Sequence, residues 1–126
     1  MSLGVAVCGL GFMGRTHLAA YAAARAAGFP SRLVAVADRS PERRAGRLGG
    51  GGNLKTGEEH AAFDPAEVRG YADPEELARD PEVALVSLCT PTPTHLPLAE
   101  LFLRAGKHVL VEKPVALDPR AIEALA

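Results

Sequence analysis

The sequence predicts an α/β fold in which a parallel sheet is doubly wound, with helices on both of its faces. Three observations predict it. Short apolar runs rich in valine alternate along the chain with helix-like segments, most of those segments begin at a polar residue followed by proline, and three glycines stand where the first apolar run ends. Alternating strands and helices favour parallel strands, because each crossover returns the chain to the same end of the sheet. The expected strand order is 3-2-1-4-5.

Size and charge exclude several classes of protein. The 126 residues, 48% hydrophobic and 23% charged, are expected to form one domain spanning 1–126. Fourteen basic residues against 15 acidic ones leave no field that would attract nucleic acid or an anionic membrane. No apolar run approaches the roughly 20 residues that cross a bilayer, and no signal-type segment opens the chain, so a cytoplasmic protein is expected. Cys8 and Cys89 are interpreted as reduced thiols within strands, and no metal-binding spacing is found.

The first half of the chain supplies two strands. LGVAVCGL at 3–10 is the first strand, the alanine-rich segment 12–27 is the first helix, and RLVAVAD at 32–38 is the second strand. Further helices are expected where a capping oxygen precedes proline at the first helical position. That pair occurs at Ser40–Pro41, Asp64–Pro65, Asp73–Pro74 and Asp118–Pro119.

A glycine-rich stretch lies between the second predicted helix and the third predicted strand. Residues 49–60 contain four consecutive glycines and no alternation, and are expected to form a mobile surface loop. This stretch lacks the lysine-serine/threonine ending of a P-loop, so a phosphate site there is not favoured. The remaining elements are a weak edge strand at 69–72, a buried strand at 83–89, a helix at 96–106, a last strand at 107–112 and a final helix from 118.

Gly9, Gly11 and Gly14 have the spacing G-x-G-x-x-G between the first strand and the first helix. In that spacing the first glycine makes a tight turn, the second lets a pyrophosphate approach the backbone, and the third lets the helix pack close to the strand. The anion would lie on the free amides at the start of the helix, around Phe12 and Met13. The alternative is a structural turn and helix start with no ligand.

An acid at the end of the second strand strengthens the nucleotide interpretation. Asp38 stands 24 residues after Gly14, where it can accept both ribose hydroxyls of NAD. Its charge should repel a 2′-phosphate, which favours NAD over NADP. Arg39 and Arg43 leave NADP possible, because either could stack on adenine or neutralise a phosphate. Both could equally lie on a solvated helix face.

The loop after the fourth strand is expected beside the cofactor. In an open α/β sheet, ligands lie outside the carboxyl ends of the strands near the switch point. Thr90, Pro91 and Thr92 therefore fall at the site, with prolines fixing the loop and hydroxyls facing ribose or nicotinamide. His95 begins the next helix, where it either contacts cofactor or substrate or caps the helix.

The last motif is Glu112-Lys113-Pro114, directly after a buried strand. A charged pair at that position is costly unless it is exposed in a cleft or partnered. A lysine there can act in proton transfer. The alternative is a strand-end charge pair followed by a turn proline.

Taken in this order and spacing, GLGFMG, TPTPTH and GKHVLVEKPVAL resemble the Gfo/Idh/MocA oxidoreductases, the relatives of glucose–fructose oxidoreductase and inositol dehydrogenase. The resemblance covers the chain from Val5 to about Ala126 and implies a Rossmann-type domain. It also implies that Lys113 is catalytic, binding substrate and sharing in proton transfer beside the nicotinamide. Glu112 and the threonine-proline loop would line the same cleft.

The resemblance further implies an activity. It is hydride transfer between NAD, or NADP, and a secondary alcohol of a sugar, polyol or related small molecule. Members of the family continue into a C-terminal α/β substrate domain that carries a catalytic histidine and the oligomer interface. The chain is therefore expected to be the cofactor half of a homo-oligomer, inactive alone, with that domain absent. The alternatives are a non-catalytic nucleotide-binding or sensing module, or another NAD-linked reaction such as glycoside cleavage or imine reduction.

Overall fold

The structure is a computed structural model that describes residues 2–48 and 62–126. Its strands are β1 (Leu3–Cys8), β2 (Ser31–Ala37), β3 (Arg69–Tyr71), β4 (Leu85–Leu88) and β5 (His108–Val111). Its helices are α1 (Phe12–Ala26), α2 (Pro41–Arg44), α3 (Pro74–Ala78), α4 (His95–Arg104) and α5 (Pro119–Leu125), with a 3₁₀ turn at Thr92–Thr94. The loop predicted at 49–60 lies outside the described residues.

All five strands are parallel and lie in the order β3-β2-β1-β4-β5, so the predicted topology is confirmed. From β1 the chain winds outward through β2 to β3, and then returns to the other side of β1 to form β4 and β5. The connections therefore leave β1 and β4 in opposite directions. That divergence opens a crevice at the carboxyl ends of the two central strands.

Helices cover both faces of the sheet, as predicted. On one face, Leu18 of α1 packs against Val7 and Val36 of the central strands. On the other face, Leu77 of α3 and Phe102 of α4 are fully buried in a second cluster. Two separate apolar layers thus hold the sheet between helices. Within the described residues, no helix has the length and apolar character needed to cross a membrane.

Three of the four polar-proline pairs begin helices. In each case proline occupies the first turn, and the preceding side chain accepts a hydrogen bond from a backbone amide that the helix leaves unpaired. The caps are Ser40 on α2, Asp73 on α3 and Asp118 on α5, with N···O distances of 3.3, 2.9 and 2.9 Å.

The helix expected at Asp64–Pro65 is wrong. Asp64 accepts a hydrogen bond from the Ala66 amide at 2.8 Å, as a cap does. The backbone then makes only a turn at 65–67, because β3 begins at Arg69 and its pairing with β2 takes over the chain. The local start signal is present, but the neighbouring strand leaves no room for a helix after it.

A buried acid, Asp80, links several residues at the end of the sheet opposite the crevice. Asp80 is 4% exposed; Arg69 donates to its carboxylate at 2.7 and 3.1 Å, and the Tyr71 hydroxyl at 3.0 Å. Lys107 donates to the Asp80 carbonyl at 2.7 Å. Burial alone would raise the pKa of Asp80, but the bonds from Arg69, the Glu82 amide and Tyr71 lower it below its usual value. This cluster joins the starts of β3 and β5.

Candidate cofactor site

A cleft of about 690 Å³ opens at the carboxyl ends of β1, β2 and β4, at the switch point of the sheet. The turn after β1, the residues after β2 and the loop after β4 form its walls, and Ala72 with Pro74 closes it towards β3. The predicted site residues that line the cleft are Gly9, Gly11, Met13, Asp38, Arg39, Arg43, Thr90 and Pro91. The sheet therefore gathers residues from three separate segments around one cavity.

Gly9 and Gly14 are required by the fold itself. Gly9 has φ +92°, and a Cβ there would lie 2.8 Å from the Cys89 carbonyl oxygen. A Cβ on Gly14 would overlap the Gly9 carbonyl oxygen. Since real side chains do not tolerate such approaches, the first glycine permits the turn and the third lets α1 pack onto it.

Gly11 is different, because nothing in the described part of the fold requires it. Its φ of −75° suits any residue, and a Cβ there would meet no atom of residues 2–48 or 62–126 within 4 Å. Gly11 is the N-cap of α1, it provides no side-chain cap, and the first turn of the helix has no acidic residue. The first amides of α1 therefore face an open approach, as a pyrophosphate needs. A dinucleotide fits this cradle.

Asp38 is held firmly at the lip of the cleft. Its Oδ2 accepts from the Leu10 amide and its Oδ1 from the Ser40 amide, both at 2.9 Å. The side chain is 11% exposed. Each carboxylate oxygen has a further lone pair, so ribose hydroxyls can still donate to it. The two amides fix the carboxylate between the glycine turn and the start of α2.

Arginines surround Asp38. Arg43 Nη1 lies 3.7 Å from Asp38 Oδ2, with the Arg43 side chain 43% exposed, and Arg39 is exposed along the cleft. Arg44 Nη1 donates to the carbonyls of Asp38 and Arg39, each at 2.9 Å. Arg44 thus shapes the turn after β2, a role that the sequence reasoning missed.

Several predicted residues lie off the cleft. Phe12 is 81% exposed at the start of α1, Gly14 is buried under the turn, and Thr92 lies in the 3₁₀ turn. Glu112 and Lys113 do not line the cleft either, but follow β5 beside it. What these five residues contact in a complex remains a prediction.

His95 does not line the cleft, and its contact with cofactor or substrate stays a prediction. The side chain is 1% exposed. Its Nδ1 lies 2.9 Å from the Pro114 carbonyl oxygen and its Nε2 2.8 Å from that of Thr90. It does not cap α4 either, since Thr94 is the N-cap. His95 therefore links the loops after β4 and β5, through one ring nitrogen beside each carbonyl oxygen.

A second histidine contacts the lysine motif from α1. His17 Nε2 lies 2.6 Å from Glu112 Oε1, with the two side chains 14% and 21% exposed. The hydrogen bond from His17, with help from the neighbouring Lys113, lowers the pKa of Glu112 below its usual value. The sequence reasoning missed His17. Its only local signal is the helical stripe it shares with Gly14 and Tyr21.

The two cysteines line the cleft as free thiols. Cys8 is buried, as predicted, and Cys89 is half-buried. Burial, above all, raises the pKa of each to about 12. Both therefore stay protonated near neutral pH and act as small apolar groups. Among the described residues, no group of histidine, cysteine or acidic side chains is arranged to hold a metal ion.

Residues 3–126 match the model of the oxidoreductase family with an NAD-binding Rossmann fold, GFO_IDH_MocA. The chain belongs to that family. The resemblance drawn from the three motifs is thereby confirmed, together with the Rossmann-type fold and NAD as the cofactor of the domain.

Similar proteins are sugar and polyol dehydrogenases. The chain is 38% identical over 119 residues to UDP-N-acetylglucosamine 3-dehydrogenase of Acidithiobacillus ferrooxidans, covering 94% of this chain and 31% of that protein. It is 36% identical over 124 residues to inositol 2-dehydrogenase of Rhizobium meliloti, covering 98% and 32%. Among solved structures, GenD2 from gentamicin A biosynthesis, in complex with NAD, matches with a TM-score of 0.74 and 32% identity, covering 99% and 30%. The chain thus spans about a third of the length of these relatives.

Proposed function

We propose that this chain binds NAD across the cleft for an oxidoreductase acting on a secondary alcohol of a sugar, polyol or related small molecule. The observation that carries the proposal is the pairing of Gly11 with Asp38. One offers an open approach to the helix amides, and the other a fixed carboxylate that is 11% exposed. A structural turn alone explains Gly9 and Gly14, but it explains neither the open approach at Gly11 nor the fixed carboxylate of Asp38.

Each part of the cofactor has a matching group on the chain. The first amides of α1, after Gly11, would hold the pyrophosphate. Asp38 would accept the ribose hydroxyls, with Arg39 and Arg43 on the adenine side. Thr90, on the β4 side of the cleft, would face the nicotinamide half. Bound NAD supplies the hydride acceptor, and the chain supplies its orientation.

Lys113 is the proposed catalytic residue. It is exposed, and it follows β5, the neighbour of the strand whose loop lines the cleft. There its ammonium would orient the substrate hydroxyl and share in moving the hydroxyl proton. Proton transfer would explain why a lysine stands at this strand end. A module that only binds a nucleotide would not need a lysine there.

The relatives support the substrate class. UDP-N-acetylglucosamine 3-dehydrogenase and inositol 2-dehydrogenase are both named for the oxidation of ring hydroxyls. Oxidation of a secondary alcohol is therefore the reaction we propose for the whole polypeptide.

A fluorescence titration with NADH and with NADPH tests cofactor binding. We expect saturable NADH binding, at least tenfold tighter than NADPH, because Asp38 repels a 2′-phosphate. One observation favours the second cofactor: Arg43 Nη1 lies 3.7 Å from the Asp38 carboxylate and offsets its charge. Tighter NADPH binding would assign the selectivity to the arginines, and no saturable binding of either would refute the site.

Lys113→Ala tests the catalytic assignment. We expect NADH affinity within twofold of wild type, because Lys113 lies off the cleft, and loss of turnover when the variant is assayed in its complete polypeptide with a polyol such as inositol. Lys107→Ala is the matched control, since Lys107 bonds the Asp80 carbonyl at the other end of the sheet. Wild-type turnover in Lys113→Ala would remove this lysine from the mechanism.

A further inference from the structure

The segment that carries Lys113 leaves the sheet before the lysine is reached. The Glu112 amide donates to the Leu88 carbonyl at 3.1 Å, continuing the ladder between β5 and β4. β5 is the edge of the sheet. Beyond that bond, His95 fixes the far end of the segment through the Pro114 carbonyl. Lys113 lies between these two anchored residues.

The near end is held from α1. Gly14, His17 and Tyr21 share one face of this helix, because residues three and four apart are neighbours on a helix. That face points across the sheet, since the Tyr21 hydroxyl lies 2.5 Å from the Ser87 Oγ on β4. His17 reaches one strand further and meets the Glu112 carboxylate at 2.6 Å.

We propose that His17 is a positioning residue, which holds Glu112 and thereby fixes where Lys113 presents its ammonium. The proposal rests on the role of Lys113 stated above. Since α1 also begins at the candidate pyrophosphate site, a single helix then sets the distance between the cofactor and the proton-transfer group. Nothing in the fold of the sheet needs this bond, because β5 is already paired along its length with β4.

The charges around Glu112 fit this role. Its carboxylate faces His17 from α1 and Lys113 from its own segment, and the protonated Cys89 thiol lies near it at the end of β4. A carboxylate accepts only, so His17 Nε2 carries the proton of the bond. Both side chains are mostly buried, and a charge-assisted bond there is stronger than one at the open surface.

Nuclear magnetic resonance of the 126-residue chain, without cofactor, tests the proposal. In His17→Ala we expect the backbone relaxation of Glu112, Lys113 and Val115 to report greater mobility. The carboxyl titration of Glu112 should move up towards the ordinary glutamate value. His108→Ala is the matched control, since His108 is an exposed histidine on β5, and it should change neither measurement.

Two substitutions of the partner separate positioning from general stability. Glu112→Gln keeps an oxygen that accepts from His17 and should retain wild-type order at Lys113, whereas Glu112→Ala should not. Long-range proton–nitrogen spectra should show His17 protonated at Nε2 in wild type and in Glu112→Gln. Unchanged mobility in His17→Ala, equal behaviour of the two Glu112 variants, or changes spread across the whole sheet would each overturn the proposal. NADH binding is measured separately, so its failure would refute the cofactor role without altering these readouts.

Discussion

Asp38 is the side chain through which we expect the fold to set cofactor selectivity. Two backbone amides, from Leu10 and Ser40, hold its carboxylate, so its position is set before any ligand arrives. Preorganised acceptors lose little conformational entropy on binding, which favours the ribose hydroxyls of NAD. Arg43 lies 3.7 Å away and is 43% exposed, so water screens its charge. We therefore expect Asp38 to outweigh Arg43 in the choice of cofactor.

Asp80 governs the response of the fold to acid. Its pKa is lowered in the folded state, so it contributes stability that is present above the unfolded value of about 3.9 and lost as the pH falls through the folded value. We expect Asp80→Asn to lose about 2 kcal/mol of unfolding free energy at pH 7, because it removes the carboxylate that accepts from Arg69 and Tyr71, while Arg69 keeps its exposed pair with Glu82 at 3.4 Å. Below pH 3, the difference in unfolding free energy between Asp80→Asn and wild type should be smaller.

Urea unfolding between pH 2.5 and pH 7 checks this expectation. Glu100→Gln is the control, because Glu100 forms an exposed pair with Arg104 on α4, and such pairs contribute well under 1 kcal/mol. A constant difference between Asp80→Asn and wild type at every pH would show that packing, and not the charge, is what Asp80 contributes.

At the scale of elements, local signals predicted what begins a helix but not how long it runs. The cap at Ser40 begins α2, which spans only Pro41–Arg44, and the cap at Asp64 is followed by a turn. The sequence contains the start signal within four residues, but not the end: after Asp64 the chain makes only a turn because β3 begins at Arg69. Strand order was predictable because alternation and handedness leave few topologies for a five-stranded parallel sheet.

The glycine turn gives a paired prediction, since Gly14 is required for packing and Gly11 is proposed to admit the ligand. Gly14→Ala should lower the free energy of unfolding by about 2 kcal/mol or more, because its Cβ overlaps the Gly9 carbonyl. Gly11→Ala should cost under about 1 kcal/mol, as expected for an N-cap, while weakening NADH binding at least tenfold. Thermal unfolding and NADH titration of both variants check the contrast. Loss of stability without loss of binding in Gly11→Ala would contradict the assignment of Gly11 to the ligand.

At the scale of the molecule, the predictable parts of the candidate site are those formed by residues close together in the sequence. The glycine spacing and the acid after the next strand identify the cleft within one strand-helix-strand unit. The ties from His17 to Glu112, 95 residues apart, and from His95 to Pro114 have no local pattern. They arise only when the switch point brings α1, α4 and the end of β5 together. For the same reason the sequence position of His95 predicts a ligand contact, whereas its link between two loops appears only in the fold.

Because the cleft is built from the ends of β1, β2 and β4, cofactor binding should stabilise the whole domain. A ligand that binds only the folded state adds about 2.7 kcal/mol at 100 times its dissociation constant, and about 1.4 kcal/mol for each further tenfold. For a domain of this size, that corresponds to a rise of about 10 °C in the unfolding temperature. Differential scanning fluorimetry across NADH concentrations should show this logarithmic rise in wild type. The rise should be clearly smaller with NADPH and, for NADH, in Gly11→Ala, because a tenfold weaker affinity removes about 1.4 kcal/mol of the stabilisation. An unfolding temperature that does not respond to NADH in wild type would mean that the cleft is a feature of packing alone.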